Sequence, residues 1–339
     1  CLAHDVQDIF RMMADCILEP RSSVTANAAI SKMKHLPKIA PYKYPGLKET
    51  DQIFGEIYDH KGLGMPMLGD EKNIENLNAF TLQKFQIENF SPERIFIAGL
   101  GVENHGEFVN LAEEYFSKIR YGGQLHTPEK QAFKEIELRV ADSASNKNEI
   151  FLVFESAATN SKDFIQAALA REYFGQADVS NPNCHSKNNG VFVSDFYNKE
   201  KSIHAAEAYN FNFNDTGLFG FRLNTTGDQS NKAIDALAKH LHTLDKITDV
   251  DFWQAQKRLK RRISEGTEND FQRINELLCH QSVYGDFKLE SMLKEIDGLH
   301  SKDLAAFLRK TVSGKAAVLV KGPNVSGVHG LSKIKELMK

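Results

Sequence analysis

In "YNFNFNDTGLFGFRL" (Tyr209 to Leu223), Tyr209, Phe211 and Phe213 alternate with Asn210, Asn212 and Asn214. Phe219, Phe221 and Leu223 then alternate with Gly220, Arg222 and Asn224. Period two is the signature of a half-buried strand, so the stretch predicts two strands reversing at Asp215-Thr216-Gly217. Elsewhere the period is helical. "HDVQDIFRMMADCILEP" places Val6, Ile9, Phe10, Met13 and Ile17 on one face and stops at Pro20. "IFIAGLGV" (Ile95 to Val102) reads as a buried strand leading into an amphipathic helix with Phe108, Leu111, Ala112 and Tyr115 turned inward. Further strands are predicted in "EIELRVAD", "EIFLVFES" and "AAVLV". Helices are predicted at Lys162 to Phe174, Lys232 to Leu244, Phe252 to Ile263, Phe271 to Leu278, Lys302 to Thr311 and the C-terminal end, with a polar loop at Gly175 to Gly190.

The pattern occurs twice. "NLNAFTLQKFQIENFSPERIFIAG" and "GLHSKDLAAFLRKTVSGKAAVLVKG" align at a constant offset of 222 residues, pairing Leu77 with Leu299, Leu82 with Leu304, Phe85 with Phe307 and Ser91 with Ser313. The helix from Val6 to Ile17 resembles the one from Ile234 to Leu244. The expected fold class is α+β, with tandem duplicated domains that are each a mixed sheet packed with helices. "RYGGQLHTPEKQ" has the Gly, Pro and polar content of a linker, so the division runs 1–121, a linker at 122–132, and 133–339. Copy two carries on the order of a hundred residues of strand, helix and hairpin ahead of its helix, and copy one carries none. The first copy is therefore expected to be truncated at its N-terminus. Its folded state is expected to depend on an N-terminal segment and on a partner chain.

Composition narrows the function classes. The 339 residues are 41% hydrophobic and 26% charged, the balance of a globular protein. A net charge of −3 gives no general attraction to nucleic acid. No apolar run reaches the roughly 18–20 residues of a membrane span. Cys1, Cys16, Cys184 and Cys279 lie far apart without a Cys-x-x-Cys pair, which argues against a disulfide framework or a zinc knuckle. The chain opens on Cys1 in place of Met, as a processed or incomplete product would.

Candidate chemistry yields to plainer explanations. Asp-Thr-Gly is the tripeptide of aspartic proteases, but that chemistry needs a second carboxylate to share the proton; Leu218 follows where Ser or Thr is usual, and no second copy occurs. Neither His-Glu-x-x-His nor His-x-x-Glu-His is present, and in His204-Ala205-Ala206-Glu207 the second His position is Ala208. His240 with His242, Cys184-His185 and Cys279-His280 are isolated pairs. Gly99, Gly101 and Gly106 miss the dinucleotide spacing, and Glu103 would repel phosphate. No Gly-x-Ser-x-Gly elbow occurs. "KRLKRR" (Lys257 to Arg262) lies opposite the apolar face formed by Phe252, Ala255, Leu259 and Ile263; it reads as a solvated surface, with an anionic lipid or acidic protein as the alternative. No catalytic, cofactor-binding or metal-ligating residue is assigned.

Several stretches together carry a resemblance. These are His60 to Val102, Glu149 to Gly175, "AEAYNFNFNDTGLFGF" (Ala206 to Phe221) and "TVSGKAAVLVKG" (Thr311 to Gly322). In this order they resemble the mitochondrial processing peptidase and complex III core protein family, of the pitrilysin-type fold. "IAGLGV", "ESAA" and "VSGK" are similar to features of the metal-free branch that holds the second core subunit and the peptidase α-subunit. The resemblance implies a structural, non-catalytic role in respiratory complex III without cofactor or metal, peripheral on the matrix side of the mitochondrial inner membrane. The implied partners are a β-type core subunit, cytochrome b, cytochrome c1 and the iron-sulfur subunit. It also supplies the hairpin, since the family has a "DSGLFG"-like turn there. The α-subunit's glycine-rich substrate loop corresponds to Gly175 to Asp195, which keeps only Gly175 and Gly190. That depletion favours the core subunit over a working peptidase α-subunit, with an active zinc peptidase the remaining alternative.

Overall fold

The two period-two stretches form the middle of a six-stranded sheet. In the computed structural model, residues 3–18, 30–31, 33, 35, 47–67, 69, 71–119, 129–178, 190–193, 203–284 and 289–338 are described. The strands are β1 (Glu137–Ala141), β2 (Lys147–Ser156), β3 (Gln176–Asp178), β4 (Ile203–Asn212), β5 (Gly217–Thr226) and β6 (Ala316–Gly322). The helices are α1 (Val6–Leu18), α2 (Leu47–Ile57), α3 (Glu71–Glu75), α4 (Ala79–Asn89), α5 (His105–Phe116), α6 (Phe164–Phe174), α7 (Ser230–His242), α8 (Asp249–Glu268), α9 (Asp270–Tyr284), α10 (Leu289–Gly298), α11 (Ser301–Val312) and α12 (Leu331–Met338).

The sheet order is β1-β6-β2-β5-β4-β3, with β1 parallel to β6 and every other pair antiparallel. Alternation sorts the side chains onto two faces. Ile150, Leu152 and Phe154 of β2 join Phe219, Phe221 and Leu223 of β5 and Val318 and Val320 of β6, and helical residues such as Phe174, Leu237, Leu259, Leu304 and Ile334 complete this large core. On the opposite face, Phe151, Val153, Leu218, Ala317 and Leu319 pack with Ile53, Ile57, Tyr58 and Phe133. That second core covers part of its face, and polar side chains take over beyond it. A chain-wide period-two pattern hides this division, because β2 and β6 are apolar on both faces and read as continuous runs.

By internal contacts the chain separates into two units. One comprises residues Cys1–Gln52, Met65–Glu129 and Asn269–Gly285, and the other Ile53–Gly64, Lys130–Glu268 and Asp286–Lys339. The two excursions, Ile53–Gly64 and Asn269–Gly285, have no counterpart in the sequence reading.

The mixed sheet lies in the second unit, and the first unit has no strand among the described residues. The strand expected at Ile95–Val102 is thus corrected. Ile95 has extended angles (φ −109°, ψ 123°), but residues 95–99 carry no ladder pairing. Apolar content and β-branching favour the extended backbone, yet a strand exists only with a neighbour. The helix after it is present as α5, started by Asn104, whose side chain accepts from the N–H groups of Gly106 (2.9 Å) and Glu107 (3.3 Å). In the same unit Phe10 of α1 meets Phe108 and Phe116 of α5 edge-on, at 5.2 and 6.2 Å between centroids.

Candidate functional site

Arg222 on β5 anchors the polar part of the second sheet face. It sits opposite Phe151 on β2 and Glu207 on β4 in the strand register. Its Nε donates to Glu149 Oε1 at 2.6 Å, a second guanidinium nitrogen reaches the same oxygen, and Glu207 Oε2 lies 3.9 Å away. The guanidinium also covers the Phe151 ring at 5.6 Å. Around this triad opens a cavity of about 370 Å³, lined by Lys147, Gln176, Asp178, His204, Glu207 and Asn224 among others. His204 enters it at a β-bulge, where the β4–β5 register shifts between Ile203 and Ala205. His204 Nε2 and Asn224 Oδ1 are buried without a hydrogen-bond partner.

Around Arg222 the charge in the cavity is already paired. Both acids beside Arg222 share its guanidinium, and no hydroxyl or thiol nucleophile stands on a base among its lining residues. The nearby phenol of Tyr209 is closed to acid-base work at neutral pH. Burial, with Glu207 adding and Arg222 opposing, pushes its pKa above the usual range, and its hydroxyl donates to Leu152 O at 3.3 Å. Among the described residues no group of three or more His, Cys, Asp or Glu could hold a metal ion.

Other residues singled out by sequence fall into structural roles. Asp215 lies in the β4–β5 turn, which is closed by Phe213 N–H donating to Thr216 O at 2.8 Å. A Cβ on Gly217 would stand 2.0 Å from Ala157 O, so the glycine of Asp-Thr-Gly permits close approach of two backbone segments. His240 and His242 share α7, where His240 meets Phe174 edge-on at 5.8 Å and His242 Nε2 contacts Leu337 O at 2.7 Å. Gly175 ends α6 at φ 68°, and Gly190 (φ 101°) would place a Cβ 2.4 Å from Phe174 O. The two retained glycines therefore bring the ends of the 175–190 loop together. Residues 179–189, including Cys184-His185, lie outside the described set, and so does Cys1; Cys16 and Cys279 are free and exposed.

The basic run of α8 is engaged within its own unit. Arg262 pairs with Glu172 at 2.6 Å, Arg258 donates to Glu172 O at 2.8 and 3.1 Å, and Arg261 pairs with Glu265 at 3.3 Å. Lys260 pairs with Asp297, and Lys257 lies over the Trp253 ring at 5.3 Å. Burial raises the Glu172 pKa above its ordinary value despite the arginines around it.

Sequence reasoning missed a buried polar network behind the sheet. Asn148 donates to Ser230 Oγ (3.0 Å) and Asn324 O (2.8 Å) and accepts from Asn324 N–H (3.3 Å), while Ser230 and Thr225 hydroxyls meet at 3.1 Å. Its members are spread from Asn148 to Asn324, so no local spacing marks it.

A family model described as the peptidase M16 inactive domain matches residues 76–259. The mitochondrial-processing peptidase subunit alpha of Solanum tuberosum is 25% identical over 322 residues, covering 91% of this chain and 62% of the relative. Cytochrome b-c1 complex subunit 1 of Saccharomyces cerevisiae is 23% identical over 296 residues, covering 85% of this chain and 64% of the relative. The chain thus spans less than two thirds of these curated relatives. A chain of the structure described as complex III2 from Candida albicans, Inz-5 bound, superposes with a TM-score of 0.80 at 15% identity, over 100% of this chain and 81% of that one; at this identity the likeness is one of fold.

Proposed function

Because the chain belongs to the family of the peptidase M16 inactive domain, we propose that it is a non-catalytic structural core subunit of mitochondrial ubiquinol:cytochrome c reductase. The observation that carries this reading is the state of the polar groups on the sheet: the Arg222 triad and the Tyr209 phenol on its second face and the buried Asn148 network on the opposite face are each bound to the chain's own atoms. The Asp215 turn likewise serves a backbone approach. A subunit whose role is to present surfaces needs a stable sheet and no reacting centre.

The partners in this reading are a β-type core subunit of the same family and cytochrome b, cytochrome c1 and the iron-sulfur subunit, with attachment peripheral and on the matrix side. In this reading the attachment runs through partners; among the described residues no helix is long and apolar enough to cross a membrane. The second-core-subunit branch rests on "IAGLGV", "ESAA" and "VSGK" and on the loop that keeps only Gly175 and Gly190.

A second reading, the α-subunit of the processing peptidase, has one observation in its favour: such a subunit is among the relatives covering 91% of this chain. Depleting the chain in its source organism distinguishes the two. The core-subunit reading predicts loss of assembled, quinol-oxidising complex with precursor cleavage intact. Accumulation of uncleaved mitochondrial precursors ahead of any respiratory loss would support the second reading instead.

A further inference from the structure

The cavity beside Arg222 also holds polar groups that the chain's own atoms leave unsatisfied. Arg222 is held by Glu149 and Glu207, but Lys147, half-buried on the same sheet face at the start of β2, makes no ion pair among the described residues. His204 Nε2 and Asn224 Oδ1 line the same cavity, buried and without a hydrogen-bond partner. Buried polar atoms are almost always paired, so two orphans beside an unpaired cation mark the place of a missing molecule. Water would satisfy the two neutral atoms, but the half-buried ammonium calls for an anion.

The strand register gives the spacing. Lys147 is the partner of Thr226, two residues from Asn224 on β5, which sets the Lys147 and Asn224 Cβ atoms roughly 7–8 Å apart on one face. Ala205, next to His204, is the partner of Asn224. An anionic group on Lys147 therefore has its neighbouring atoms beside Asn224 and His204. The charge of the lining sets a second limit. Lys147 and Arg222 are matched by Asp178 and Glu207, and this balance accepts one negative charge more readily than two.

We propose that the cavity binds a small monocarboxylate with a hydroxyl on the adjacent carbon. The carboxylate pairs with the Lys147 ammonium, while the hydroxyl donates to Asn224 Oδ1 and accepts from His204 Nε2–H. One hydroxyl is both donor and acceptor, so a single group satisfies both orphans. The volume of about 370 Å³ is ample for a molecule of this size.

The probe is L-lactate, compared with acetate, inorganic phosphate and L-alanine by calorimetric titration of the full chain. The expected result is saturable binding of lactate at one site, with acetate weaker by about tenfold because it lacks the hydroxyl. Lys147→Met should weaken lactate by about tenfold or more, and Lys147→Arg, which keeps the charge, should restore most of it. In Asn224→Leu lactate and acetate should bind alike. Lys310→Met, at a surface pair with Asp163 outside the cavity, should leave binding unchanged, and melting curves of each variant check that it is folded. No saturable binding of lactate up to about 50 mM would overturn the proposal. So would undiminished binding in folded Lys147→Met, or tighter binding of phosphate or alanine than of lactate.

Discussion

Tyr209 on β4 and Gly220 on β5 are direct register partners, and the glycine is the space in which the tyrosine lies. A Cβ on Gly220 would stand 2.5 Å from Tyr209 Oη and 2.3 Å from Leu152 O. Gly220→Ala is expected to cost about 3 kcal/mol, since the clash meets backbone on one side and a held ring on the other. Tyr209→Phe removes only the bond to Leu152 O and should cost about 1 kcal/mol. Urea midpoints of the two variants check the order.

The same tyrosine sets an alkaline limit. Burial raises the folded-state pKa of Tyr209 above its ordinary value and that of Tyr58 to about 12. A raised pKa means stability is fully present below the unfolded phenol pKa, roughly 10, and is lost as pH rises past it. Unfolding midpoints should therefore fall between about pH 9 and pH 12, and less steeply in Tyr209→Phe.

Acid acts through the carboxylates of residues 135 and 137. Glu137 accepts from Leu331 N–H (2.8 Å) at the start of α12 and from Arg139 Nε (2.9 Å) and Nη2 (2.7 Å); these bonds hold its pKa below the ordinary value. Glu135 is lowered by Lys335 and by the Ala316 N–H. Lowered values give stability that is present above the ordinary carboxylate pKa, roughly 4, and lost as pH falls through the folded value. Glu137→Gln should lower the melting temperature at neutral pH and reduce its fall on acidification, with faster amide exchange in α12 as the local readout.

Asp215→Asn and Gly217→Ala separate turn from catalyst. The first should change stability by less than about 0.5 kcal/mol, as a turn residue away from the core does. The second should cost about 3 kcal/mol or more, because Ala157 O occupies the place of its Cβ. An aspartic protease would show the reverse sensitivity in peptide cleavage, with Asp215 decisive.

Much of this architecture was legible from period alone. The Tyr209–Leu223 hairpin, β1, β2, β6 and the helices α6, α7, α8, α11 and α12 follow from alternation and helical faces, because in each the local pattern agrees with burial, whereas α10 was not anticipated. Ile95–Val102 misled for a physical reason: its residues favour an extended backbone, but pairing is not a property of one segment. The excursion that brings Ile53, Ile57 and Tyr58 under the sheet was invisible, since no short-range signal states which sheet a helix end will cover. The Arg222 cavity was equally hidden. It gathers Lys147, Gln176, His204 and Arg222 from four strands, and the bulge that turns His204 inward has no turn residue to announce it.

The most direct test is the haem content of what this chain brings with it. Isolated by a tag from mitochondria of its source organism under gentle detergent, it should carry cytochrome b and c1 absorbance in the dithionite-reduced spectrum, together with quinol:cytochrome c reductase activity. It should not cleave presequence peptides when mixed with a zinc-bearing β-type subunit. A preparation without haem that cleaves presequences with that partner would contradict the account.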